Sequence, residues 1–129
     1  MKKLVEEWLR YAENDLRTIS KIIDDKHLTN VVAFHSHQCI EKSFKAVILL
    51  ETDTLPKVHN LIKLYGTVRN YVKLNFKMVL LEEINDTYID TRYPSDLGLL
   101  PDGFLSIEHS IDFYNEAKDI FSQIKRVVE

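Results

Sequence analysis

The sequence holds one cysteine, Cys39, and only three glycines and three prolines in 129 residues. A single thiol excludes an intrachain disulfide and a cysteine-built zinc site. So little glycine and proline leaves few tight turns for a sheet-rich fold, whereas the stock of leucine, isoleucine, lysine and glutamate suits helices. No apolar run approaches the length of a membrane span, and the opening MKKLVEEWLR carries charge where a signal peptide needs an apolar stretch. The expectation is a soluble, cytoplasmic protein. Glycine-rich phosphate loops, GxSxG, HExxH and a Walker lysine are all missing. With a net charge of −3, nothing draws the whole molecule toward nucleic acid or an anionic membrane, which leaves only local basic patches to do so.

What the sequence does have is helical periodicity. With 45% hydrophobic and 29% charged residues over 129 positions, the chain fits one domain, residues 1–129, around a single core. Leu4, Trp8, Ala12, Leu16, Ile19 and Ile23 recur at three- and four-residue steps and predict a first helix over about 3–24. Asp15 sits beside that stripe, where a half-buried carboxylate needs a partner such as a lysine or a backbone N–H. Thr29 or Asn30 can cap a second helix that ends near Thr52 or Asp53. His59 or Asn60 can cap a short third helix with Leu61, Ile62, Leu64, Tyr65, Val68 and Val72 inward. Gly66 inside it marks either a weak helix or a backbone passing close by. Asn75 can cap a fourth helix from Phe76 to about Thr91, with Leu80, Leu81, Ile84 and Tyr88 inward and Glu82, Glu83, Asp86 and Asp90 outward; Pro94 stops it near Arg92. After the irregular YPSDLGLLPDG, Asp102 or Ser106 opens a last helix traced by Ile107, Ile111, Tyr114, Ala117, Phe121, Ile124 and Val128. The fold class is all-α: an up-and-down bundle of four long helices plus one short helix.

The second helix carries the richest pattern. Ala33, Ile40, Phe44 and Val47 form its core stripe, with His37 inside it. Ser36, Cys39, Ser43 and Ala46 make a ridge of small residues suited to close packing, within the chain or toward a second protomer. Gln38, Glu41 and Lys45 line a polar row beside the core, with Lys42 next to it. Its plain reading is an internal network in which Glu41 meets Lys45 one turn on. Arg92, at the end of the fourth helix, offers a forked guanidinium suited to phosphate or carboxylate, or to a salt bridge with Asp90 or Asp96. His35 and His37 point to different faces and cannot share a metal, and His35 with Cys39 lacks a third ligand. The outward carboxylates of the fourth helix read as a solvated face. No metal site and no cofactor is expected.

These residues carry a resemblance. Trp8, Ala12, Asp15 and Leu16 in WLRYAENDL, the block HSHQCIEKSFKAVIL, the helix-opening His59 to Leu61, and Tyr88 to Asp96 in YIDTRYPSD are similar to the HEPN family of helical domains. The most diagnostic pieces are Gln38-x-x-Glu41-Lys42-x-x-Lys45-Ala46 and Thr91-Arg92-Tyr93-Pro94. The resemblance implies a four- to five-helix bundle that usually forms a homodimer. Many relatives pair with a small nucleotidyltransferase as toxin and antitoxin. Others are metal-independent ribonucleases that use an Arg followed four to six residues later by a His. Here Arg10, Arg17, Arg69, Arg92 and Arg126 all lack a histidine at that spacing, so binding is expected in place of the usual cleavage. The expected ligand site, for a nucleotide or RNA, is Gln38, Glu41, Lys45, His59 and Arg92.

Overall fold

In a computed structural model of the chain, which describes residues 2–91 and 105–129, five helices and no strand are found among the described residues. They are α1 (Lys2–Ile22), α2 (Thr29–Thr52), α3 (Leu61–Val68), α4 (Met78–Thr91) and α5 (Ile107–Val128). Side-chain pairings fix their directions. Along α1, Trp8 meets Lys45 and Asp15 meets Lys42 and His35, so α2 runs back beside α1. Asn30 accepts from Leu105 N–H and Cys39 Sγ lies against the Ala117 carbonyl, so α2 and α5 run the same way. Lys77 meets Glu116, while Glu83 shares a groove with His109, which turns α4 opposite to α5. The result is the expected up-and-down bundle, with α3 inserted between α2 and α4.

Within it, α2 and α5 are the central diagonal pair. α2 touches every other helix, whereas α1 and α4 lie on opposite flanks of the pair. The small ridge serves this arrangement. Ser36, Cys39, Ser43 and Ala46 are all inaccessible within the single chain, so the ridge brings α5 close and is not a surface for a second protomer. A Ser or Ala in that position lets two helix backbones approach where a larger side chain would hold them apart.

The ends of the helices depart from the sequence expectation in informative ways. α2 has no side-chain cap: Leu28 stands at its N-cap, Thr29 Oγ1 is buried without a hydrogen-bond partner, and Asn30 spends its carbonyl oxygen on Leu105. α2 stops at Asp53, which takes the left-handed region at φ 60, a conformation Asp tolerates better than most residues. Asn60 does cap α3, accepting from the N–H groups of Ile62 and Lys63. The Leu61 N–H is taken by Asn85 of α4. α4 begins at Met78, two residues later than expected. Asn75 exchanges hydrogen bonds with Gln123 of α5, and the buried Glu116 accepts from Lys77 N–H at the start of α4. Ser106 caps α5 through His109 N–H.

The buried faces of α1 and α5 are also turned relative to the expectation. Val5 and Leu9 are buried while Leu4 is 47% exposed, and α5 buries Phe113 and Ile120 while Ile111 lies outside. Both helices carry apolar residues around more than one stripe, and tertiary packing selects among them: α5 sits centrally and is covered on two flanks. Gly66 has nothing within 4 Å of where a Cβ would stand, so no backbone passes close to it. Glu82, Glu83 and Asp86 are exposed. The side chain of Asp90 and the YPSDLGLLPDG segment lie outside the described residues.

Candidate ligand-binding site

The exposed strip of α2 is flanked by α1 on one side and by α3 and α4 on the other, and each flank supplies one buried carboxylate or its partner. On the α1 side, Asp15 is almost wholly buried. Its Oδ2 accepts from Lys42 Nζ at 2.8 Å and its Oδ1 from His35 Nδ1 at 2.8 Å. The half-buried acid that needed a partner has two, both from α2, and the trio staples α1 to α2.

On the other side the centre is Glu41. Its Oε2 accepts from Lys45 Nζ at 2.9 Å and from His59 Nδ1 at 3.0 Å, while its Oε1 lies 3.6 Å from His37 Nδ1, too far for a good hydrogen bond. A carboxylate can only accept, so Nδ1 of His59 carries the proton and Nε2 is the free nitrogen of the neutral ring. His59 projects from the loop before α3 with its side chain 64% exposed, held by a carboxylate that is itself buried. Lys45 is nearly as buried as Glu41, and its ammonium also lies 5.9 Å from the Trp8 ring centroid. The internal Glu41–Lys45 pair anticipated from their spacing is present.

His37 is the unusual member. It is fully buried, its ring nitrogens make no well-formed hydrogen bond among the described residues although the His59 backbone and the Asn85 side chain lie near them, and its ring stacks on Tyr88 at 3.7 Å between centroids. Burial pushes its pKa down to about 4, with nearby Glu41 pulling the other way, so at neutral pH it is an uncharged aromatic of the core. Tyr88 in turn stacks on Phe34 at 5.8 Å, and Phe34 meets His35 edge-on at 5.2 Å.

Of the five residues expected to form the site, Glu41, Lys45 and His59 are in direct contact. Gln38 lies half-buried one turn before Glu41 and Lys42, without touching the trio through a hydrogen bond. Arg92 lies outside the described residues. Tyr88 is inward as its spacing predicts, whereas Phe34 and Asn85 join the site without having been singled out by sequence. The signal for Phe34 was its position four residues before Gln38, on the polar face of an otherwise buried helix. Cys39 faces α5 and His35 faces α1, so these two do not converge, and among the described residues no group of three potential ligands gathers for a metal ion.

A family model, the HEPN domain, matches residues 5–129. The chain belongs to the HEPN family. No curated protein and no solved structure matches this HEPN chain. Membership supports a module concerned with nucleotides or RNA in general, and the helical bundle agrees with an all-α HEPN domain. Among the described residues, no helix of this HEPN domain is long and apolar enough to cross a membrane.

Proposed function

We propose that this HEPN domain is a nucleotide- or RNA-binding module that works as a homodimer and as partner subunit of a small nucleotidyltransferase, in a toxin–antitoxin setting. The observation that carries the binding half is the Glu41-anchored His59: a buried carboxylate holds an exposed imidazole in one orientation, beside the half-buried Gln38. A pre-oriented imidazole and an amide on one face can meet the polar groups of a nucleotide without reorganising. Lys45, buried against Glu41, balances the acid's charge; phosphate contact falls to Arg92, while the free Nε2 of His59 accepts from a sugar hydroxyl or a base N–H. Calorimetric titration with ATP, GTP and a short single-stranded RNA tests this. Heat with at least one of them, reduced by His59→Ala, supports the reading; no heat with any of the three overturns it. The partner half is tested by co-expression with a small nucleotidyltransferase and by the mass of the isolated complex.

The same Glu41–His59 pair favours a second reading, a metal-independent ribonuclease with an atypical site. A carboxylate that fixes Nδ1–H leaves Nε2 as a general base. Incubation with labelled RNA in a chelator distinguishes the two: cleavage abolished by His59→Ala selects the enzyme, and intact RNA removes it.

A further inference from the structure

The exposed strip of α2 has polar groups and an aromatic end, yet among the described residues it has no uncommitted cation. Lys42 is held by Asp15 and Lys45 by Glu41, each at hydrogen-bond distance, so every ammonium on this strip is matched by a carboxylate of the same chain. Such a surface gives little purchase to a string of phosphates. What it offers is a ring and an amide. Phe34 is 40% exposed and stands at the outer end of a stack, Phe34 on Tyr88 on the buried His37. The two inner rings fix the outer one in place, so an incoming planar group meets a surface already ordered. Gln38 follows Phe34 by four residues, which puts their side chains about 5–6 Å apart at Cβ on one helix face. Its amide makes no hydrogen bond among the described residues.

We infer that Phe34 and Gln38 form a nucleobase site that holds a purine by stacking and by the amide, with the phosphate contributing little; this rests on the nucleotide-binding reading above. A glutamine amide presents one acceptor and one donor side by side. Adenine answers with the N6 amino group and the N7 lone pair, and a free guanine answers with N1–H and O6, so the amide serves either purine. Stacking on an aromatic ring supplies affinity without base preference, so orientation comes from Gln38 and strength from Phe34.

Calorimetric titration of the whole chain with adenosine, guanosine and ATP, at about 50 mM and about 200 mM salt, tests the site. Adenosine and guanosine are both expected to bind, and salt is expected to change their affinity by less than about twofold. Phe34→Ala should weaken adenosine about tenfold or more, Phe34→Trp should retain it, and Gln38→Ala should weaken adenosine and guanosine alike by about threefold or more while the bundle's circular dichroism stays unchanged. Adenosine bound equally by wild type, Phe34→Ala and Gln38→Ala overturns the base site. ATP binding that persists in both variants, with no binding of adenosine, also overturns it and leaves the nucleotide-binding reading standing. Absence of binding by nucleosides, ATP and short RNA alike overturns both.

Discussion

The buried His37 makes stability depend on pH in a calculable way. Its folded pKa is depressed from 6.5 to about 4 by burial. Between those values the unfolded chain binds a proton that the folded one refuses, so stability is complete above about pH 6.5 and is lost as pH falls toward 4. For a single group of this kind the loss between pH 7 and pH 5 is about 2 kcal/mol. His37→Leu replaces the ring with an apolar side chain of similar size and removes the titration. Urea unfolding of both proteins at half-unit steps of pH gives the two stability profiles. Their difference should change by about 2 kcal/mol over that interval, with the wild type falling faster. Parallel profiles would refute the reasoning, because burial would then not outweigh Glu41, the His59 backbone and Asn85, which all favour the protonated ring.

The Glu41–Lys45 pair leads to a second expectation. Glu41→Ala strands a buried ammonium and should cost about 3–5 kcal/mol, and adding Lys45→Met should recover much of it in thermal unfolding. Gly66→Ala should stabilise the protein by up to about 1 kcal/mol, since Gly66 lies within α3 and a Cβ meets open space; a lower melting temperature would contradict this. Glu116 is held above the usual carboxylate range by burial, so it binds a proton more tightly folded than unfolded and the wild type loses stability as pH rises through that window. Glu116→Gln keeps an acceptor for Lys77 N–H and should be at least as stable as wild type at pH 7, a comparison that urea melts provide.

The helices were legible because each carries a stripe with a period near 3.6, and the core face of α2, Ala33, Ile40, Phe44 and Val47, is buried as its spacing demands. The rotation of α1 and α5 was not, since Leu4 and Val5, or Ile111 and Phe113, are equally apolar and only the placement of neighbouring helices chooses between them. Capping was legible where one residue serves its own helix, as Asn60 and Ser106 do. It failed where the acceptor comes from another helix, as with Glu116 on Lys77 and Asn85 on Leu61, because such pairs lie 39 and 24 residues apart. For the candidate site, the i, i+4 spacing announced Glu41 with Lys45. The approach of His59 across 18 residues depended on how the loop folds back.

The parallel course of α2 and α5 bears on how the chain acquires its structure during synthesis. α2 leaves the ribosome before α5, and the face with Ser36, Cys39, Ser43 and Ala46 finds its cover only when α5 arrives. A truncated chain of the first four helices would expose that seam to water, so no shorter set of helices makes a self-sufficient core. Folding is then all-or-none and waits for α5, and the lone thiol at Cys39, shut beneath α5, reports each opening of the whole bundle to an alkylating reagent.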